Sequence, residues 1–374
     1  MDWTIFIINI FKKVKHMKNK VLRISISKLN ELKFRDRITQ LHTLLFRDDN
    51  AETSKGNFPW APFKAMVQKE ISDHFRNWRF IILFVIISLA CMGTLFATMA
   101  NGMKVLVADS AENNFFFLNL FTKSDGTLPP FFGFVGFLGP LFGISLGFDA
   151  ISSEQQRGTL SRVMAQPVPR DSILNAKFLA GIIVISVMFF TLSFLVLGSG
   201  LIAVGIPPTA EEFMRIMVYT VLSIVYVSFW LNLAILFSVR FKQSATSALL
   251  GIAVWLFFTI FYPLIANIFI KAYEPSKFAS PRAIYFYEKL KFYLLQIMPN
   301  ELFDGITSAI LVPSVRSLGP LSMEQLQGAI PSSLPLGQSI MLVWPQFTGL
   351  LSLTLLCFLL SYIIFMKREI RSRG

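Results

Sequence analysis

Uncharged apolar runs dominate the chain, and six of them have the length that a helix needs to cross a bilayer, about 20 residues. They cover 80–103, 130–148, a stretch from about 178 to just before Pro207-Pro208, then 216–239, 245–270 and 342–366. Only the second is weak as a helix, because its many glycines and Pro140 lower helical propensity. Ahead of the first run, residues 60–79 show a different pattern. Phe63, Met66, Val67, Ile71 and Phe75 share one helical face, while Lys64, Gln68, Lys69, Asp73 and Arg76 point elsewhere, and Pro62 suits a first turn. That spacing predicts an amphipathic helix lying on the membrane surface and feeding the first span.

Two further segments lie outside the spans. Residues 271–340 combine a helical stretch, 281–298, with turns such as Pro331-Ser332-Ser333-Leu334-Pro335, and alternation of the spans places the whole segment on the outer side. Residues 1–59 form a basic leader. In it Trp3, Phe6, Ile7, Ile10 and Val14 recur at helical spacing beside Lys12, Lys13 and Lys15. This fits an interfacial helix as well as it fits a disordered leader. It does not fit a secretory signal, since Asp2 precedes the apolar stretch and the lysines follow it.

Charge then orients the chain. Of 374 residues 54% are hydrophobic and only 15% charged, yet the net charge is +13. The leader holds twelve Lys/Arg against six Asp/Glu, and Arg157, Arg162, Arg170, Lys177, Arg240, Lys242, Lys367, Arg368, Arg371 and Arg373 fall on the same side of the six runs. The opposite loops are near neutral. The positive-inside rule therefore predicts cytoplasmic termini in a multi-pass plasma-membrane protein. The basic excess has no nucleic-acid motif beside it, so lipid is its expected partner. Cys91 and Cys357 both sit inside apolar runs, where no disulfide framework is expected.

The densest chemistry lies between spans two and three. Asp149-Ala150-Ile151-Ser152-Ser153-Glu154-Gln155-Gln156-Arg157-Gly158-Thr159-Leu160-Ser161-Arg162-Val163-Met164-Ala165-Gln166-Pro167-Val168-Pro169-Arg170 leads to Lys177. It reads as a short polar helix, a break at Gly158, a second amphipathic turn and a proline-stiffened return. Leu160, Val163 and Met164 are apolar groups on a charged loop, and such groups call for a partner surface.

In the order and spacing of Asp149, Glu154, Gly158, Thr159, Leu160, Pro167, Val168, Arg170 and Lys177, this stretch resembles the type-2 ABC exporter permease family. Lys69-Glu70-Ile71 is similar to that family's connecting helix. The resemblance implies an all-α, six-span membrane subunit with a coupling helix that docks in a groove of a separate ATPase. Glu154, Arg157 and Arg162 would make the charged contacts there, and Leu160 and Met164 would fill the groove. It also implies a second permease copy or a paralogue. The chain has no G-x-x-x-x-G-K-S/T loop, so ATP and Mg belong to the partner chain and this one is expected to bind no cofactor and carry no catalytic site.

The six runs contain no Asp, Glu, Lys, Arg or His away from their ends, whereas ion-driven carriers place such groups near mid-membrane. An external energy source follows, and an apolar or amphipathic cargo. Asn232, Asn267, Tyr219 and Tyr226 are the polar groups available to a substrate path, although bonding between helices also explains them. Alternatives stay open. One is a membrane anchor or signalling partner of an ATPase that transports nothing. Another is copper or sulfur handling by an ABC permease, for which Met92, Met99 and Met103 share a face of span one, as does ordinary packing. An intramembrane enzyme is the poorest: Glu211-Glu212-Phe213-Met214-Arg215 has no downstream histidine, because His16, His42 and His74 all precede the first span.

Overall fold

The computed structural model describes residues 60–367, apart from 114, 125, 127, 161–168, 206, 277–278 and 321–332. The basic leader, with its expected interfacial helix, lies outside the described residues. Those that are described form helices and connections without strands. Six segments are long and apolar enough to cross a membrane: Trp78–Thr98, Phe131–Gln156, Arg170–Ala203, Ala210–Arg240, Ser244–Ala272 and Leu336–Met366. They match the six apolar runs one for one. Spans two and three shift most: the second extends to Gln156 and the third starts at Arg170, each about two turns beyond its apolar run.

In chain order the elements are α1 (Trp60–Phe75), α2 (Trp78–Asn113), α3 (Phe116–Thr122), α4 (Phe131–Gly147), α5 (Ser152–Gln156), α6 (Arg170–Val204) and α7 (Ala210–Arg240). Then come α8 (Ser244–Leu256), a π-helical turn (Phe257–Phe261), α9 (Tyr262–Ala272), α10 (Pro281–Leu295), α11 (Pro299–Leu311) and α12 (Leu336–Met366). Helix α7 is the hub. It packs chiefly on α4 and α12, and also on α6, α11 and α8. Its start is fixed by a capping box, with Thr209 accepting from the Glu212 amide and Glu212 accepting from the Thr209 amide. The buried Glu212 also accepts from the Phe117 amide at 2.8 Å, which ties α3 to the same end.

The glycines of span two explain why so weak a helix former sits at the centre. A Cβ on Gly143 would come within 2.6 Å of the Val227 carbonyl oxygen, and one on Gly147 within 2.6 Å of that of Leu231. Gly139, four residues earlier, faces Val227 Cγ2 in the same way, at 2.9 Å. The three lie one turn apart on one face, so α4 meets the α7 backbone at a distance no larger residue permits. The π turn in span five has a local cause as well. Pro263 has no N–H for the carbonyl of Thr259, and the wider turn, with the Tyr262 amide bonded to the Phe257 carbonyl, takes up the mismatch.

The 271–340 segment, expected on the outer side, sends one helix back among the helices of the bundle. Helix α10 is begun by the Ser280 cap and Pro281, and its far end reaches span five, where the Tyr262 hydroxyl donates to the Leu294 carbonyl at 2.9 Å. There the chain reverses, and α11 returns between α4, α7 and α12. At the bottom of the hairpin Asn300 Nδ2 donates to Thr259 Oγ1 at 2.8 Å, and Asn300 Oδ1 lies 2.7 Å from the Tyr226 hydroxyl. At its top the Ile310 carbonyl accepts from Arg215 at 2.8 Å. Tyr226 is about 20 Å along α7 from Arg240 at 1.5 Å per residue, so the hairpin reaches roughly the middle of the spans. Leu302, Phe303, Ile306, Ala309 and Ile310 form its buried face. The arrangement is a re-entrant hairpin.

Candidate functional site

The segment from Asp149 to Gly158 forms an elbow at the end of span two. After α4 the backbone turns, the single turn of α5 follows, and Gly158 stands at φ +67°, a left-handed conformation that a side chain would strain. The Thr159 amide closes back onto the Glu154 carbonyl at 3.0 Å. On one side the elbow is pinned to the α7–α8 turn. Ser238 Oγ accepts from the amides of Ile151 and Ser152 at 2.9 and 3.0 Å, and the Ser152 and Ser244 hydroxyls lie 2.9 Å apart.

On the other side it is pinned by charge. Lys177, on the first turns of α6, is 7% exposed and donates to Glu154 Oε1 at 2.7 Å and to Glu70 Oε2 of α1 at 3.0 Å. One buried ammonium thus joins three elements. A second pair, Arg79 with Asp149 at 2.7 Å, ties the start of α2 to the same elbow, and the guanidinium also lies 4.9 Å above the Phe148 ring. Burial by itself would raise the Glu70 carboxyl. The Lys177 ammonium, helped by Lys69, overcomes that and holds it below its ordinary range. Burial lowers His74, one turn further along α1, so the imidazole is neutral at pH 7.

The apolar face of α1 is packed against α6: Val67 is buried with Ala176 and Ala180, and Phe63, Met66, Ile71 and Ile183 close around them. Alanines at the contact let the helices come close.

The residues singled out in the sequence therefore divide. Asp149, Glu154 and Lys177 face inward and are paired within the chain. Leu160 is also inside, 4% exposed and part of the main core. Arg157, Gly158 and Arg170 are exposed, and Thr159 is half-buried. Arg162, Met164 and Pro167 lie outside the described residues. Among the polar residues of the spans, Tyr219, Tyr226 and Asn232 are buried on α7. The Tyr226 hydroxyl is 2.9 Å from the Gly136 carbonyl as well as 2.7 Å from Asn300, and Asn232 Nδ2 donates to the Thr354 carbonyl of α12 at 3.3 Å. Asn267 points away from the bundle.

Three other partners gave no sequence signal or an incomplete one. Ser238 and Ser244 are ordinary turn residues by pattern. Arg215 counts as a loop charge in sequence but is fully buried. It is paired with Glu211 at 2.9 Å and bonded to the carbonyls of Ile310 and Leu334 and to Ser339. Glu211, Glu212 and Arg215 thus have structural uses. The side chains of Met99 and Met103 lie outside the described residues, so the methionine face of span one is not described beyond Met92. No group of three or more metal-binding His, Cys, Asp or Glu occurs among the described residues, and both cysteines are buried and free.

Comparison with known proteins agrees with this architecture. The family described as ABC-2 family transporter protein matches residues 65–370. A probable ABC transporter permease protein, NosY of Stutzerimonas stutzeri, is 26% identical over 314 residues, which is 81% of this chain and 97% of that one.

Proposed function

The chain belongs to the ABC-2 family transporter proteins and is a multi-pass membrane subunit of an ABC transporter; from that premise we propose that it is an exporter subunit driven by a separate ATPase docking on the Asp149–Lys177 elbow. The elbow faces the cytoplasm in this reading, as do both chain ends, because the basic residues cluster at that end of the spans. The membrane is the plasma membrane. Two copies, or one copy and a paralogue, enclose the path. ATP and Mg are held by the partner, since the sequence has no phosphate-binding loop.

The observation that carries this reading is the double pinning of the elbow. Through Lys177 it is joined to α1 and α6, through Arg79 to α2, and through Ser238 and Ser244 to the α7–α8 turn. Displacement of Gly158 would therefore be felt by spans one to five together, as a lever requires. Docking itself falls to the exposed part, Arg157, Gly158 and Arg170, together with Arg162 and Met164. Asp149, Glu154 and Lys177 hold the elbow in shape, and α1 acts as the connecting helix. A charged exposed residue is the cleanest probe. Arg157→Glu should leave the amount of folded chain in the membrane unchanged and abolish co-purification of the ATPase with the tagged chain. Undiminished co-purification would count against docking at this elbow.

A further inference from the structure

Helix α10 carries charge of both signs to a depth where the six spans carry none. None of its residues is buried, and its chief packing partner is α9 of span five. It starts on the outer side, and the carbonyl of Leu294 near its far end accepts from the Tyr262 hydroxyl. Tyr262 precedes Ala272, the end of span five, by ten residues, so α10 descends to about 15 Å below that end at 1.5 Å per residue. Glu288, Lys289 and Lys291 fall in its second half, on the way down.

Acyl chains do not suit such a surface. A lysine at that depth in lipid stretches its ammonium toward the headgroups. Lys289 Nζ instead stays between the rings of Tyr285 and Tyr293, at 5.9 and 6.0 Å from their centroids. It pairs with no carboxylate among the described residues, while Glu288 reaches Lys291 at 3.8 Å. The open face of span one, by contrast, is apolar from Ile81 to Phe96, as lipid requires. A second observation comes from span five itself, the least buried of the six. It turns the Asn267 side chain outward, with no hydrogen-bond partner among the described residues. An amide both donates and accepts, so a second Asn267 would satisfy it and an acyl chain would not.

A second copy of the chain offers what this surface lacks. Two copies inserted the same way are related by a two-fold axis along the membrane normal, which keeps every residue at its own depth. Glu288 of one copy then stands level with the lysines of the other. We propose that α10 and the outer half of span five form the contact between two copies of this chain, with Glu288 of each paired to Lys289 or Lys291 of the other. This rests on the transport reading and narrows it, from a copy or a paralogue to a second copy. The contact needs neither ATP nor the ATPase, so the two can fail separately.

The test produces the full chain in membranes, without its ATPase, from two genes with different affinity tags. Purification on one tag should recover the other. Glu288→Lys in both copies sets cations against cations and should lower that recovery about tenfold. Lys289→Glu/Lys291→Glu in both copies should do the same with anions. One copy of each variant together should restore recovery, which also shows that both variants are folded. To place the contact, Phe286→Cys, at an exposed position of α10, is introduced with Cys91→Ser and Cys357→Ser. A short bifunctional maleimide should join two such copies covalently. It should not join copies carrying Leu89→Cys, on the open face of span one, in the same background. The inference is overturned if the unaltered copies do not recover each other, if recovery survives both charge reversals, or if the mixed pair is not restored. A covalent pair through position 89 and none through 286 would assign the contact to span one and overturn it as well. Absent self-recovery alongside intact ATPase co-purification would refute this inference and leave the transport reading standing, with a paralogue as the second subunit.

Discussion

Lys177 shows how one side chain can serve two purposes. A lysine near the start of a span reads as a topology marker, and the positive-inside rule uses it so. In the fold it is instead a buried cation shared by Glu70 and Glu154. Taking one partner from a buried pair strands the others, at a cost of about 3–5 kcal/mol. Lys177→Met should therefore lower the thermal unfolding midpoint of the purified chain markedly, and Arg157→Glu, at an exposed site, should not. The same cluster sets an acid limit. The folded Glu70 carboxyl lies below its ordinary 4.5, so the charged form is favoured by the fold. Its contribution is complete above pH 4.5 and is lost as pH falls through the folded value. Protection of the α1 amides from hydrogen exchange, relative to the intrinsic rate at each pH, should fall below pH 4.5 more steeply in the unaltered chain than in Glu70→Gln. Parallel profiles would show that Glu70 does not titrate against Lys177.

At the scale of elements, the glycines of span two carry the sharpest consequence. By propensity α4 is the poorest helix of the six, yet it has the closest contact with the hub. Gly143→Ala puts a methyl against the Val227 carbonyl, which is backbone and cannot swing aside, and should destabilise the chain by about 1–3 kcal/mol. Gly198→Ala, in span three with nothing within 4 Å of the added methyl, should be neutral or slightly stabilising in the same unfolding assay. A similar loss at both sites would mean that propensity, not the α4–α7 approach, is what the glycines control. The hairpin of α10 and α11 was the element least visible in the pattern. Its apolar stretch from Leu302 to Leu311 is too short to span and is interrupted by Asp304, so by length it reads as a loop. Only tertiary bonds from Tyr226, Thr259 and Tyr262 reveal its depth.

Across the whole molecule, what depends on composition was legible and what depends on contact was not. Twenty-residue apolar runs leave a backbone few alternatives to helix, and all six spans follow from them. The motif from Asp149 to Lys177 predicted a break at Gly158, and the backbone turns there. It did not show which charges face inward, because a water-facing and a paired glutamate look alike in sequence. The packing of α1 on α6 was half legible: the apolar face was plain, but its partner is a helix rather than lipid alone. The account as a whole stands or falls on the Gly158 end of the spans meeting the ATPase. The direct measurement places a photo-crosslinking amino acid at position 157 of the tagged chain in native membranes and identifies what it captures, with position 341, at the opposite end of α12, as control. An adduct with a phosphate-binding-loop ATPase from position 157 and none from 341 is the expected result. No ATPase adduct at 157, or one at 341 instead, would contradict it.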